Sequence, residues 1–299
     1  MFRKDGTAQG VAKQRLIESL AQPEQRVIYD PYAEPFVKGA GVIKLMGHRL
    51  SVWITQQMAP GFHQHLIART RFIDDQVEQA AERGAEQYLI LGAGYDMRAH
   101  RLSLPPTTRV FEVDQAEVQQ RKRAIMPKEL EKAGSVSYVS VDFNHQSLSE
   151  QLLAAGFDPK KSTVITLEGV SQYISKEALA GTLEELAKLL NSAPRATFVM
   201  SYVDERLRSD PAACFGFGYP QPEKRAKIVT SLSAKVGEPW VSFYSEQDLS
   251  QMLAEYGFKL TENKSLEDLN DCYFTPVGRE LPENQIFKLE HFVVAEKAP

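Results

Sequence analysis

The chain has 299 residues, 43% of them hydrophobic and 25% charged, which is typical of a globular protein with one large α/β domain or two small ones. Its net charge of -4 and pI near 5.9 disfavour a nucleic-acid binder, which usually presents a basic face. Because no apolar run approaches the roughly 18 residues of a membrane helix, and the N-terminal stretch is too polar for a signal peptide, we expect a cytoplasmic protein with neither nucleic acid nor membrane as partner.

Residues 1–83 carry mostly helical patterns, and from residue 84 apolar runs alternate with helices. The runs are nearly continuously apolar, as expected for parallel strands buried on both faces. This order predicts right-handed crossovers and a doubly wound α/β sheet. The predicted strands are QYLILGAG (87–94), TRVFEVD (108–114), VSYVSVDF (136–143), STVITLEGV (162–170) and ATFVMSYV (196–203), with FKLEHFVVAEK (287–297) as the last strand.

The clearest helix is SKEALAGTLEELAKLLN, with Ser175 as its predicted N-cap and leucines recurring at three- and four-residue spacing. Residues 204–244 contain CFGFGYPQPEKR and interrupt the rhythm, which favours a lid or substrate-binding insertion over a plain connection. A helix is predicted at 245–258. We expect a single domain over 1–299: a helical cap (1–83), a cofactor-binding core (84–203), a lid insertion (204–244) and a C-terminal completion of the core (245–299).

The first predicted strand runs into a glycine loop, Gly92-Ala93-Gly94-Tyr95-Asp96-Met97. Ligands of open α/β sheets bind beyond the carboxyl ends of the strands, so this loop is the candidate cofactor site. Met97 stands where a dinucleotide fold has its third glycine, and Asp96 would place negative charge beside a diphosphate. Both residues weigh against NAD or FAD without excluding them. A phosphate-binding P-loop is disfavoured more firmly, because no G-K-[ST] follows the glycines.

S-adenosylmethionine fits this loop better because it carries no phosphate. Its ammonium and sulfonium groups are cations that a carboxylate such as Asp96 stabilises. Asp114 follows Gly92 by 22 residues and closes the second strand, where an acid accepts hydrogen bonds from ribose hydroxyls. NAD enzymes share that acid, so it does not discriminate between the two cofactors.

Six stretches, in order, resemble the leucine carboxyl methyltransferase-like family of S-adenosylmethionine-dependent methyltransferases. They are YDPYAEPFV (29–37), ARTRFIDD (68–75), LGAGYDMRAHRL (91–102), FEVDQAEV (111–118), VDFNHQSL (141–148) and LEGVSQYIS (167–175). They cover most of residues 26–190. The resemblance implies a seven-stranded, Rossmann-like methyltransferase sheet that is mostly parallel, with its last strand antiparallel.

The resemblance also implies roles for individual residues. Arg69 would pair with the methionine carboxylate of the cofactor, and Tyr173 would lie toward the acceptor. The remaining implied cofactor contacts are Gly92 and Gly94 along the methionine and ribose, Asp114 on the ribose, Asp142 and Phe143 at the adenine, and Glu168 at the methionine end.

Some of these residues have plain structural alternatives. Arg69 and Arg71 precede Asp74 and Asp75 on one predicted helix, so these charges could simply pair along a solvated face. Asp142 could cap the following helix. Tyr173 could be ordinary core packing with its hydroxyl satisfied.

The expected reaction is in-line displacement of the methyl group by an acceptor oxygen of a small metabolite. A carboxylate acceptor is ionised at neutral pH and needs no base, whereas a hydroxyl would use one. The candidate bases are His63, His65 and His145, although His63 and His65 are expected at the polar surface. No histidine or cysteine spacing predicts a metal site.

Three other functions stay open at this level. A protein C-terminal carboxyl methyltransferase is the nearest alternative, although nothing in the sequence indicates a docking surface for a large partner. An NAD-linked oxidoreductase is disfavoured by Met97 and Asp96. A cofactor-binding protein without catalysis is the third, and the sequence does not predict the oligomeric state.

Overall fold

The computed structural model describes residues 6–132, 136–141, 146–235 and 237–297. In this part of the chain seven strands form one sheet, in the order β3-β2-β1-β4-β5-β7-β6. The strands are β1 (Gln87–Leu91), β2 (Arg109–Asp114), β3 (Val136–Ser140), β4 (Thr163–Leu167), β5 (Ala196–Val203), β6 (Phe258–Lys264) and β7 (Glu290–Lys297).

The sheet has the direction of strands that the resemblance implies. Strands β1 to β5 pair in parallel, while β7 runs antiparallel to both β5 and β6. The last strand is therefore inserted between two strands that point the other way. The predicted doubly wound, mostly parallel sheet with an antiparallel last strand is confirmed.

The helices surround this sheet in two layers. Helix α3 packs on one face with β7, and α8 packs on the other with α7. The helices are α1 (Gly6–Ser19), α2 (Ala40–Met58), α3 (Phe62–Glu82), α4 (Arg98–Arg101), α5 (Ala116–Ile125), α6 (Lys128–Lys132), α7 (Leu148–Ala154), α8 (Lys176–Leu189), α9 (Arg206–Ser209), α10 (Pro222–Lys235), α11 (Glu246–Glu255) and α12 (Leu266–Tyr273).

Helix α8 begins as the sequence predicts. The Ser175 hydroxyl accepts a hydrogen bond of 3.1 Å from the Ala178 amide, which satisfies one of the free N–H groups of the first turn. Its leucines at 179, 183 and 186 are buried against the sheet. The periodic leucines therefore form the core-facing side of this helix.

Several predicted bounds were too long. The strands predicted to reach residues 94 and 170 end at Leu91 and Leu167, because Gly92 and Gly169 adopt positive φ angles of 66° and 62° and turn the chain. The helix predicted over 245–258 ends at Glu255, and Phe258 begins β6. Strand β6 itself was not recognised from the sequence.

The N-terminal cap lies directly on the glycine loop. The Arg15 guanidinium of α1 donates through Nη2 to the Tyr95 carbonyl at 2.6 Å, and through Nε to the Asp30 carboxylate at 2.8 Å. A Cβ placed on Gly94 would lie 3.5 Å from Ala8 Cβ of the same helix. Helix α1 thus closes the loop from one side.

The insertion between β5 and α11 reaches the same cap. The Thr7 amide donates to Glu238 Oε2 at 3.2 Å, and the Thr7 hydroxyl donates to the same oxygen. Farther along, the Tyr219 hydroxyl donates to the Pro60 carbonyl at 2.8 Å. None of the helices in the described ranges combines the length and the apolar character that crossing a membrane requires.

Candidate active site

The glycine loop after β1 has no room for side chains at its first position. Gly92 has a φ of 66°, and a Cβ there would lie 2.6 Å from Val170 Cγ2. The Gly92 amide donates to the Val113 carbonyl at 2.9 Å, which ties the loop to the end of β2. This close approach is why glycine is required.

Asp114 closes β2 beside this loop. Its carboxylate accepts hydrogen bonds of 2.7 Å from the Gly94 amide and from the Gln115 amide. Burial raises the pKa of Asp114, while the two amide hydrogen bonds act in the opposite direction. The two predicted residues Gly94 and Asp114 are therefore in direct contact, at the carboxyl edge of β1 and β2.

Glu168, directly after β4, receives two guanidinium groups. Arg69 Nε of α3 donates to Oε1 at 2.9 Å, and Arg98 Nη1 donates to Oε2 at 2.5 Å. Burial alone would raise the pKa of Glu168, but the charges of Arg98 and Arg69 hold it well below its usual range. The Glu168 carboxylate is thus ionised and fixed in place.

Arg69 is buried and bridges Glu168 and Glu290. Its Nη1 donates to both Glu290 carboxylate oxygens at 2.9 Å. The structural alternative of a solvated pair is wrong for Arg69 and right for Arg71, which pairs with Asp75 at 2.7 Å in the i,i+4 arrangement. Arg69 lies on the side of α3 that faces the sheet.

Arg98 was not identified from the sequence, although it lies in the quoted glycine-loop stretch. Its guanidinium is fully buried and donates to Asp74 at 2.6 Å as well as to Asp96 at 2.5 Å. The Arg98 amide also donates to Asp96 at 2.7 Å. The negative charge that the sequence places in the loop therefore has a cation from the same loop beside it.

His63 and His65 are not at the surface, and the expectation that placed them there was wrong. His63 is completely buried, with Nδ1 at 2.8 Å from Gln14 Oε1 and Nε2 at 3.0 Å from Glu18. His65 is equally buried, with Nε2 at 3.0 Å from Glu290 Oε2. Both rings are tolerated in the interior because a buried carboxylate faces each of them.

Glu18 gathers further partners around His63. Arg279 donates to both Glu18 oxygens at 2.7 and 2.9 Å, and His48 Nε2 lies 3.6 Å from Oε2. Glu18, His48 and His63 present three potential metal ligands within 4.8 Å of one another. The Arg279 guanidinium already neutralises this carboxylate, so its charge disfavours a metal ion at the same place.

Tyr173 lies where the cap and the insertion meet. Its hydroxyl is 3.5 Å from Thr7 Oγ1, and burial raises the pKa of Tyr173. A phenol with a raised pKa is a poor base and stays protonated at neutral pH. The predicted site residues Asp142, Phe143 and His145 lie outside the described residues.

A surface cavity of about 610 Å³ lies beside the first turn of α8. Lys176, Glu177, Arg208 and Phe243 are among the side chains that line it. The buried carboxylates and guanidiniums described above are not among its lining residues. This cavity is therefore separate from the charged cluster at the glycine loop, which consists of Arg69, Asp74, Asp96, Arg98, Glu168 and Glu290.

Comparison with known proteins decides the family. Residues 8–187, which include α1, the glycine loop, Asp114 and Glu168, match the family of leucine carboxyl methyltransferases. The chain belongs to this family. It is an S-adenosylmethionine-dependent methyltransferase, so the predicted cofactor is confirmed and the NAD-linked alternative is wrong.

Relatives along most of the chain support this membership. A protein of Mycobacteroides abscessus, named as an S-adenosyl-L-methionine-dependent methyltransferase, is 32% identical over 97% of this chain and 91% of its own length. Its counterpart YktD of Bacillus subtilis is 29% identical over 82% of this chain and 75% of its own. A Thermobifida fusca methyltransferase structure shares the fold, with a TM-score of 0.54 at 17% identity, over 96% of this chain and 94% of its own.

Proposed function

We propose that this methyltransferase methylates an oxygen of a small molecule, and that the oxygen belongs to a carboxylate. The observation that carries the proposal is that both described candidate bases are buried and that each faces a buried carboxylate. His63 has a partner at each ring nitrogen, and His65 Nε2 faces Glu290, which Arg69 holds in turn. A carboxylate acceptor is ionised at neutral pH and needs neither histidine. A hydroxyl acceptor is the alternative, with His145 as its base.

The cofactor contacts that we propose follow from this geometry. The Asp114 carboxylate, held by two backbone amides, would accept hydrogen bonds from the ribose hydroxyls. Gly92 and Gly94 would let the backbone lie against the ligand. Asp142 and Phe143 are proposed at the adenine on the resemblance alone.

The charged cluster would take the methionine end of the cofactor. Arg69 offers a guanidinium to the carboxylate, while Glu168 and Asp96 offer negative charge to the ammonium. When bound, S-adenosylmethionine supplies a methyl group already activated on a sulfonium. The task left to the chain is then to hold donor and acceptor in line and to exclude water.

We further propose that residues 1–83 and 204–244 act as the two lids of one domain. Thr7 of the first segment and Glu238 of the second share two hydrogen bonds, and Tyr173 lies beside them. The acceptor would enter at this junction, with Tyr173 donating its hydroxyl hydrogen to an acceptor oxygen. Closing both segments together would keep water from the reacting atoms.

The experiment is a transfer assay with methyl-labelled S-adenosylmethionine. The acceptors are aliphatic and aromatic carboxylic acids, matched phenols and alcohols, and peptides ending in leucine. Methyl esters release volatile labelled methanol in alkali, whereas methyl ethers do not. We expect alkali-labile label on a small carboxylic acid; alkali-stable label would assign a hydroxyl acceptor instead.

A protein C-terminal carboxylate is the second candidate, because the family that matches residues 8–187 is described by leucine carboxyl methylation. Labelled peptide with no labelled small acid would support it. The alkali test again identifies a methyl ester. The same peptide with a C-terminal amide, which has no terminal carboxylate to methylate, is the control.

A further inference from the structure

Helix α2 leaves a wide apolar face uncovered. Leu45 is 88% exposed, Trp53 57% and Met58 63%. The exposed large apolar side chains of this helix are Val42, Leu45, Leu50, Trp53, Ile54 and Met58. Gly47, with φ 70° and ψ 179°, interrupts this helix. After it, Leu50, Trp53, Ile54 and Met58 recur at three- and four-residue spacing and form one exposed face, and Val42 and Leu45 are exposed just before it. Exposed apolar patches of this kind mark surfaces that bind a partner or a membrane.

Helix α10 adjoins the C-terminal end of α2 and carries two further exposed apolar side chains. Ile228 and Leu232 are exposed and lie between Lys224 and Lys235 at helical spacing. Arg225 Nη1 donates to the Met58 carbonyl, which joins the start of α10 to the end of α2. Phe217, 83% exposed, stands two residues before Tyr219, whose hydroxyl donates to the Pro60 carbonyl. We call α2, Phe217 and α10 together the α2–α10 surface.

The charges on this surface are almost all positive. Helix α2 contains Arg49 and Lys44 and no acidic residue, and the Lys44 ammonium pairs with Glu34 at 2.9 Å. Helix α10 contains four cationic residues and a single acid, Glu223. The whole chain nevertheless has a net charge of -4. Positive charge is therefore concentrated where the apolar side chains are exposed.

We propose that the α2–α10 surface docks on an anionic lipid bilayer. Apolar side chains with a tryptophan, flanked by lysine and arginine, are the features with which a helix lies in the interface of a membrane that contains acidic lipids. A second copy of the chain is disfavoured because a two-fold contact would bring like charges together. The sequence expectation of no membrane partner considered spanning segments and did not address a surface contact.

The experiment is flotation of the full-length protein with two kinds of vesicle. One is made of equal parts phosphatidylcholine and phosphatidylglycerol, the other of phosphatidylcholine alone. We expect flotation with the anionic vesicles only, and its loss at high salt. Absence of flotation with anionic vesicles, or equal flotation with neutral ones, overturns the proposal.

Three variants locate the contact. Leu45→Ser and Arg49→Gln should each lower the bound fraction, by about tenfold for the apolar change. Leu153→Ser, which changes a residue 48% exposed on α7 in the other layer of the fold, is the matched control and should bind as the parent does. Equal binding by Leu45→Ser and the parent overturns the proposal.

Fluorescence gives an independent readout because the chain has two tryptophans. Anionic vesicles should shift the emission to shorter wavelength in the parent and leave Trp53→Phe unshifted. Sedimentation without lipid tests the other occupant: a dimer that Leu45→Ser dissociates would assign the face to a second copy and overturn the proposal. Circular dichroism of each variant confirms that the fold is kept.

Discussion

Arg69 of α3 and Glu290 of β7 lie 221 positions apart and share two hydrogen bonds of 2.9 Å. The pair joins the helix that precedes the sheet to the first residue of its antiparallel strand. Glu290 is paired in register with Val203, the last residue of β5, so it lies at the same edge as the glycine loop. The antiparallel strand therefore supplies a side chain to the charged cluster.

Replacing Arg69 by alanine should weaken cofactor binding and stability together. The change leaves Glu168 and Glu290 buried without their cation, which costs about 3–5 kcal/mol of unfolding free energy. Calorimetric titration with S-adenosylmethionine should show a sharply raised dissociation constant. Arg71→Ala is the control: Arg71 is 44% exposed and its pair with Asp75 contributes about 0.5 kcal/mol or less. An unchanged dissociation constant in Arg69→Ala would remove Arg69 from the cofactor site.

Glu290 makes the stability depend on acid pH. Burial alone would raise its pKa, but Arg69 and His65 lower it to about 2 from an ordinary value of 4.5. A carboxyl group with a depressed folded-state pKa stabilises the protein above the unfolded value, and this contribution disappears as the pH falls through the folded value. The excess stability of the parent over Glu290→Gln should be constant above pH 4.5 and shrink toward pH 2.

Urea unfolding of parent and Glu290→Gln across that range measures the difference. Glu296→Gln is the control on the same strand, because Glu296 is 28% exposed and lies 3.7 Å from Arg83. It should change the unfolding free energy by about 1 kcal/mol or less at every pH. If the Glu290→Gln difference were flat from pH 7 to pH 2, the proposed coupling to Arg69 would be wrong.

Asp114→Asn should raise the dissociation constant for S-adenosylmethionine about ten- to a hundredfold. A hydrogen bond to a charged group is worth about 1.5–3 kcal/mol, and asparagine keeps only one acceptor oxygen for the two backbone amides, of Gly94 and Gln115, that the carboxylate accepts from. Glu117→Gln is the control, because it removes one negative charge from the exposed first turn of α5, away from the glycine loop. Equal affinities for the two variants would exclude Asp114 from the ribose contact.

Strands β1, β4 and β5 were predictable because both of their faces are buried, which makes each one a nearly continuous apolar run. Strand β6 was missed because its residues FKLTENK are mostly polar and only its first residue, Phe258, is buried. An edge strand is half solvated, so its composition resembles that of a loop. Strand β6 is defined by its pairing with β7, which is a tertiary contact that the local sequence pattern does not indicate.

The site shows a similar division. Gly92, Gly94 and Asp114 could be predicted as neighbours because the backbone requirement and the strand end are visible in the sequence, and Gly94 does contact Asp114. Glu290 was missed because its partners Arg69 and His65 are more than 200 positions away. His63 and His65 were assigned to the surface because a buried histidine needs a carboxylate beside it, and the sequence does not show which carboxylate that is.

Gly92→Ala should distort the glycine loop. Alanine at a φ of 66° is strained, and its Cβ would lie 2.6 Å from Val170 Cγ2. We expect a loss of at least about 1 kcal/mol in stability and a lower affinity for S-adenosylmethionine. Gly181→Ala, in the exposed middle of α8 with open space around it, should instead stabilise by about 0.5–1 kcal/mol. Tolerance of alanine at position 92 without change in affinity would refute the close approach.

Glu238→Gln should speed the release of the cofactor. The Glu238 carboxylate receives both the amide and the hydroxyl of Thr7, so it ties the insertion to the start of α1. Losing the charge on a half-buried pair should cost about 1 kcal/mol, which corresponds to a dissociation rate about fivefold higher. Stopped-flow displacement of bound S-adenosylhomocysteine measures that rate, with Glu223→Gln of exposed α10 as control. Identical release from both variants would mean that cap and insertion do not close over the cofactor together.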